Sequence, residues 1–320
     1  KSRDEKLAED LLNWVILNNQ ALSVVDHPAL KKVLRTATGS PTFSVGGRKK
    51  LRTALMQKKA AATENLKRQL AGTHPATTSD IWTSNSNVSF ISLTLHWIVP
   101  SPGEWTVKCG TAACEVFDGS HTGKRIGEKL MSMLKDLGID ESVTSITTDT
   151  AANQKNAVVV HTPPSIQWVG CGCHKAERTV QKFVNTPGLK QTLVAFTKFA
   201  GHLHKSALSL GVFKDAQRRR FPTKTPVGIP TGCVTRWWSW LRMLQVSLKH
   251  KSSVVQTMEI ANERTGVDIH ITDKDWTNAV TMVSMLEPFA DAVETMEGDH
   301  MGMAELPCIM NVLNAHIEKE

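Results

Sequence analysis

Val88-Ser89-Phe90-Ile91-Ser92-Leu93-Thr94-Leu95-His96-Trp97-Ile98-Val99 alternates apolar and polar side chains, with Ile91, Leu93, Leu95 and Trp97 on one parity and Ser92, Thr94 and His96 on the other. A period of two is the mark of a strand with one face buried. Upstream, after the break Gly72-Thr73-His74-Pro75, the stretch Ser79 to Thr83 is also rich in β-branched and aromatic residues. Downstream, Pro100-Ser101-Pro102-Gly103 has turn chemistry, and Trp105, Val107 and Cys109 continue the alternation. Three strands joined by short turns predict an antiparallel meander.

The period then changes. Thr122 to Leu137 carries Ile126, Leu130, Met133, Leu134 and Leu137 at helical spacing, and Gly138 stands where a helix C-terminal glycine belongs. Val143 to Asp149 reads as a short strand, Ala151 to Val159 as a helix, Ile166 to Cys171 as a strand, with a helix from His174. The order βββαβαβ predicts an α/β fold with a mixed five-stranded sheet and helices on both faces. In that topology the first and fourth strands can lie side by side at the sheet centre.

Working outward, Leu7, Leu11, Leu12, Val15 and Ile16 recur at helical spacing, and Asp26-His27-Pro28 predicts a helix start with proline at its first position. Lys49 to Leu70 continues the helical pattern. From Lys175 to Glu320 nearly all periods are helical, broken at Pro187-Gly188, Pro222 to Pro230 and Gly266. The predicted organisation is a helical segment over 1–72, an α/β core over 73–173 and an all-helical region over 174–320.

Composition narrows the function. The 320 residues are 41% hydrophobic and 21% charged, as in ordinary folded chains, and no run is apolar for long enough to span a membrane. A net charge of +8 favours a polyanionic partner such as nucleic acid. The scattered cysteines at 109, 114, 171, 173, 233 and 308 do not form a secreted disulfide framework, so a reducing compartment, cytoplasm or nucleus, is expected. With no tyrosine in the chain, a tyrosine nucleophile is excluded. The first residue is Lys1, which suggests an internal piece of a longer protein.

Two acidic residues stand within or at the ends of predicted strands: Asp80 in Thr78-Ser79-Asp80-Ile81-Trp82-Thr83 and Asp149 in Thr147-Thr148-Asp149-Thr150-Ala151-Ala152-Asn153. A carboxylate in a strand that enters the core must be paired, protonated or metal-bound, because a lone buried charge is costly. Each could instead be a strand-end turn residue. Together, if the first and fourth strands adjoin, they could share two divalent ions about 4 Å apart, an arrangement that serves phosphodiester hydrolysis and transfer.

At these residues the chain resembles transposases of the hAT superfamily, the group that includes the zinc-finger BED domain-containing proteins. The resemblance is collinear. It runs through Ser23 to Pro28, Phe43-Ser44-Val45, Asp80 to Ser84, Gly119 to Gly123, Thr147 to Asn153, Cys171-Gly172-Cys173-His174, Thr235-Arg236-Trp237 and Leu286-Glu287-Pro288-Phe289. It implies a ribonuclease H-like core interrupted by a helical insertion domain. It also implies that Asp80 and Asp149 are two members of an acidic triad holding Mg2+ or Mn2+, with the third carboxylate beyond this chain. Glu287, Glu297, Glu318 and Glu320 are read as solvated helix charges. His174, with Cys171, is implied near the active site as a contact to DNA or phosphate, although a core histidine is an equal reading. Arg236 and Trp237 are implied to contact DNA, while Trp238 and Trp240 read equally well as core.

Other patterns carry less. Cys171 and His174 lack the second ligand pair of structural zinc. Gly119 to Lys124 has one residue too few between its glycines for a nucleotide-binding loop, so no nucleotide cofactor is expected. The basic runs Arg48 to Arg52 and Arg218 to Arg220 could be import signals, phosphate contacts or solvated faces. The resulting expectation is a hAT-type transposase fragment, nuclear, acting on double-stranded DNA at transposon ends by metal-dependent cleavage and strand transfer. Homo-oligomerisation would use segments outside this chain, and the 320 residues alone would be inactive. The alternative is a domesticated, catalytically inactive DNA-binding regulator, or a relic.

Overall fold

The computed structural model describes residues 3–232, 237–297 and 306–317. The chain divides into two compact units, Lys1–Ile146 with Asn156–Gln167, and Thr147–Lys155 with Trp168–Glu320.

The first unit opens with helices α1 (Arg3–Leu17), α2 (Pro28–Thr38) and α3 (Gly47–Leu70), with a 3₁₀ helix at Leu22–Asp26. Pro28 occupies the first turn of α2, and the His27 ring accepts the Ala29 N–H at 3.2 Å, so the predicted start is the observed one. Leu11, Leu12, Val15, Val25, Phe43 and Leu51 form the core of this segment.

The strands are β1 (Ala76–Thr78), β2 (Ile81–Thr83), β3 (Ser89–Ser101), β4 (Glu104–Val116), β5 (Ser145–Thr148) and β6 (Gln167–Gly170). β3 pairs with β1 and β2 along one side and with β4 along the other, and β5 and β6 follow β1. β5 lies beside β1, which precedes the predicted first strand Ser79 to Thr83; the part of that strand that forms, β2, pairs with β3. The sheet has six strands where the sequence predicts five, because the first is interrupted at Ser79-Asp80. There the Asp80 N–H meets the Ser92 hydroxyl at 3.3 Å, and the Asp80 carboxylate turns back to accept the Ile81 N–H at 2.9 Å. Pairing then resumes in step, from Thr78 opposite Thr94 to Ile81 opposite Ile91. Ile91, Leu93, Leu95 and Trp97 are buried, as their alternation predicts.

Helix α4 (Gly123–Leu137) begins at Thr122, whose hydroxyl accepts the Arg125 N–H, and ends at Gly138 in the left-handed conformation. Its apolar stripe Ile126, Leu130, Met133, Leu134 and Leu137 is buried. Gly127 marks a close helix approach. A Cβ there would sit 2.7 Å from the Ala157 carbonyl oxygen and 2.6 Å from His161 Cβ in α5 (Ala152–His161).

The second unit holds α6 (Gly172–Val184), α7 (Pro187–Lys205), α8 (Ala207–Arg220), α9 (Trp237–Lys249), α10 (Lys251–Thr265), α11 (Asp273–Glu297) and α12 (Leu306–Ile317). Phe196, Phe199, Phe213, Met243, Trp276 and Met282 lie in its core, with Phe196 and Trp276 edge to face at 5.0 Å. The start of α11 is tied to α7 through one carboxylate. Asp275 accepts the Thr272 N–H at 2.9 Å and hydroxyl at 2.6 Å, and the hydroxyl of fully buried Thr192 at 2.7 Å. Burial alone would raise its pKa, but these donors outweigh that and hold it below the ordinary 3.8.

Two outcomes follow from this packing. Gly127→Ala, which in an open helix would stabilise, should here cost about 1–3 kcal/mol in urea unfolding, since backbone oxygen cannot move aside. Asp275→Ala should cost about 1–2 kcal/mol at neutral pH by removing the acceptor of the Thr272 N–H and hydroxyl and leaving the Thr192 hydroxyl only the longer bond to the Gly188 carbonyl. Because the folded carboxyl titrates below the unfolded one, its contribution is complete above 3.8 and is lost as pH falls through the lower folded value. The wild-type and Asp275→Ala stability curves should therefore converge in acid.

Candidate functional site

The predicted site residues fall into both units, and each is described within its own. In the first, Asp80 is exposed at the interruption between β1 and β2. One carboxylate oxygen is used by the Ile81 N–H. The Asp80 carbonyl accepts the Ser92 N–H at 3.0 Å, so the backbone beneath the side chain is fixed to β3. No basic side chain forms an ion pair with Asp80 among the described residues.

In the second unit, Asp149 directly follows β5 and its Oδ1 accepts the Ala151 N–H at 2.9 Å, the turn that leads into α5. The strand end is braced from β6. Trp168 Nε1 donates to the Thr148 hydroxyl at 3.0 Å, which donates to the Asp149 carbonyl at 2.9 Å, while the Cys171 N–H binds the Thr148 carbonyl at 2.8 Å. Three exposed cations gather beside this turn. Arg178 reaches the Thr150 hydroxyl at 3.4 Å, Lys155 lies 5.1 Å from the Trp168 ring centre, and Lys175 crosses Gly170 so closely that a Cβ there would be 3.1 Å from its Cε. The sequence reading passed over these three, although Lys175 and Arg178 stand three apart on α6 and therefore share a face.

Cys171 precedes the first turn of α6. The Cys173 thiol donates to its sulfur, and this outweighs burial, which alone would raise the pKa; the His174 and Cys173 N–H groups at the helix start add to the donation. The Cys171 thiol is thereby drawn down to about 6. Cys173, holding its proton for that bond and half-buried beside the Cys171 charge, is pushed upward. His174 is half-buried, with Nδ1 3.7 Å from Glu177 Oε2, while Gln181 donates to the other carboxylate oxygen, Oε1, at 3.3 Å. It is therefore neither a solvent-free core residue nor a lone exposed ring.

Trp237 is 3% exposed and stacks on Trp238 at 4.5 Å between ring centres. Trp240 is buried beside it, and the ring that reaches the surface is Trp238, 37% exposed. The core role read for Trp240 thus extends to Trp237, and the surface position falls to Trp238. Arg236 lies outside the described residues, as do Glu318 and Glu320. Glu287 accepts a hydrogen bond from Gln245 at 2.8 Å across α9 and α11.

The Gly119 loop and the Arg218 to Arg220 run are closed by internal contacts, and in the other basic run Arg48 lies 3.8 Å from Asp26. The loop Gly119 to Gly123 wraps the Arg125 guanidinium, which donates to the Asp118 and Ser120 carbonyls at 2.6 Å each. Gly119 has φ +88°, and a Cβ there would strike the guanidinium at 2.8 Å. Such a loop presents its carbonyls inward to a cation, unlike a phosphate-binding loop, which presents N–H groups. Arg218, Arg219 and Arg220 are helical and engage Asp215, Gln256 and Ser252.

Residues 78–162 match the ZBED1 RNase-like domain family. The chain is 22% identical over 91% of its length to an AC transposase of Zea mays, and 22% identical over 97% to the transcriptional regulator named tpeD of Talaromyces stipitatus. It is 24% identical over 74% to Zinc finger BED domain-containing protein 6 of Mus musculus. The chain is thus similar, along most of its length, to proteins of the hAT/BED transposase-derived family. It spans 37%, 40% and 24% of those three relatives. Within the family match lie Asp80, Asp149 and Lys155; Cys171, His174, Lys175 and Arg178 follow it in the sequence.

Among the described cysteines, Cys171 should be the fastest to react with iodoacetamide near neutral pH, with its rate falling as pH drops through about 6. Cys173→Ser keeps a hydroxyl donor and should preserve this profile; Cys173→Ala should move it towards higher pH. Peptide mapping of the alkylated protein reads both.

Proposed function

We propose that this chain is the DNA-handling core of a hAT-type transposase: a ribonuclease H-like domain over 73–173, followed by a helical insertion domain over 174–320, working in the nucleus on double-stranded DNA at transposon ends. The observation that carries the reading is the pair of aspartates, each standing at the end of a strand in a mixed sheet and each, among the described residues, with one oxygen committed to a backbone N–H. The family relation and the cations beside Asp149 support it. Homo-oligomers of the complete protein belong to the same reading.

The donor chemistry suits a hard cation. Asp80 and Asp149 are carboxylates without an ion-pair partner among the described residues, and Mg2+ is commonly held by one or two carboxylates with the remaining positions filled by water. Among the described residues no three acidic, histidine or cysteine side chains gather to hold a metal. Asp80 and Asp149 would hold Mg2+ or Mn2+, which supplies Lewis-acid activation of a water or 3′-hydroxyl oxygen and of the scissile phosphate. The remaining work is done by this chain. Lys155, Lys175 and Arg178 neutralise the phosphate backbone beside the Asp149 turn, and the Trp168–Thr148 brace keeps the carboxylate in place. His174 is positioned by Glu177 to donate to a phosphate oxygen.

A second reading is a regulator that binds DNA without cutting it. It is favoured by the relative named as a transcriptional regulator, which matches 97% of this chain, and by the burial of Trp237, a residue the resemblance implies in DNA contact.

The test has two parts. In band shifts on duplex DNA across a salt series, Lys175→Ala and Arg178→Ala should each lower the salt slope by about one, whereas unchanged slopes overturn the phosphate contacts. In the full-length protein, Asp80→Asn or Asp149→Asn should abolish metal-dependent strand cleavage and leave end binding intact. Cleavage that survives either substitution sinks the metal-holding roles, and binding with no cleavage by the wild type selects the regulator.

A further inference from the structure

The β3–β4 hairpin extends past the rest of the sheet. β1 pairs with β3 only as far as His96, so 97–101 and 104–108 form a two-stranded ribbon with no third strand among those described. Its turn is Pro102-Gly103, with Gly103 at φ +84° as a type II turn requires. One face carries Ile98 opposite Val107 and Pro100 opposite Trp105. These are exposed, Trp105 to 77%, Ile98 to 53% and Val107 to 52%. Residues 104–109 of β4 are all exposed, so the outer edge is open over the same stretch. A long, flat, apolar edge is a template for another strand. A two-stranded ribbon is by itself only marginally stable.

The sequence of this edge is complementary to itself. In an antiparallel pair N–H and C=O groups point alternately towards and away from the partner strand, and closure of the hairpin at Ser101 and Glu104 directs those of Trp105 and Val107 outward. We propose that β4 pairs with β4 of a second copy of this chain, antiparallel about a two-fold axis at Thr106. In this register Trp105 and Val107 exchange backbone hydrogen bonds with Val107 and Trp105 of the other copy, and each indole covers a valine. Thr106 meets Thr106, and Glu104 meets Lys108 twice, in the closer non-hydrogen-bonded positions. Glu104 and Lys108 form no ion pair within the chain among the described residues. Centring the pair on Lys108 would instead oppose two like charges, so the charges select the register. The contact is isologous and closes as a dimer.

Sedimentation of the 320-residue chain under reducing conditions, which exclude disulfide links through exposed Cys109, tests this. The wild type should self-associate. Glu104→Lys and Lys108→Glu, each placing like charges opposite at two symmetric sites, should weaken association by about ten-fold or more. The double variant E104K/K108E should recover it, and mixing the two single variants should give a heterodimer that neither forms alone. These positions are exposed, and an unchanged thermal midpoint confirms folding. A wild type that stays monomeric, a dimer indifferent to the single changes, or a double variant that fails to recover overturns the proposal.

Discussion

The three residues Ala76–Thr78 are paired on one side to β3 and on the other to the β5 side of the sheet, and this double pairing is what the rest of the α/β part is built on. A buried strand must satisfy every N–H and C=O, and one this short can do so only if both neighbours are in register. Thr77 is fully buried, and its hydroxyl donates to the Ser145 carbonyl at 3.2 Å. The Thr144 N–H meets the Pro75 carbonyl at 3.0 Å. The meander and the later strand are therefore joined by backbone accounting as much as by apolar contact, and the chain that leaves β1 emerges at Asp80.

Strand ends concentrate the chemistry for the same reason. Where pairing stops, backbone groups look for other partners and polar side chains become available to them. At Asp80 a serine hydroxyl and the residue's own carboxylate replace ladder bonds; at Asp149 the carboxylate closes a turn while Trp168 and Thr148 brace the strand end. At Cys171 the start of α6 turns N–H groups towards a sulfur and, with Cys173, favours the thiolate. Proposed roles in phosphate chemistry thus rest on residues whose local geometry is already fixed by backbone needs, which is the preorganisation a site of that kind requires.

The opposite end of the sheet is built differently. β3 is held at its middle by β1 and β4, but its last residues have only β4, and apolar side chains there face solvent. A sheet that ended at His96 would expose less. The extension makes sense as a contact surface, and its charge order fits another copy of itself better than an arbitrary strand.

Much of this was legible in the sequence. Alternation of Ile91, Leu93, Leu95 and Trp97 determined β3 and its buried face, and the stripe from Ile126 to Leu137 with Gly138 determined α4 with its end, because periodicity and caps are local properties. Pro28 and its helix were equally local. The division of the first strand at Asp80 was not, since it depends on Ser92 twelve residues away. Nor was the burial of Trp237: a run of tryptophans on a helix has no inside until α6, α7 and α11 surround it. Glycine spacing already set the Gly119 loop apart from a nucleotide-binding loop, but that the Arg125 side chain fills it was not legible. The cations at 155, 175 and 178 became a group only when β6 brought the start of α6 beside the Asp149 turn. Local pattern fixes elements and their buried faces. Which side chains meet depends on strand order and helix packing, and those are decided by long-range pairing that no single window of sequence contains.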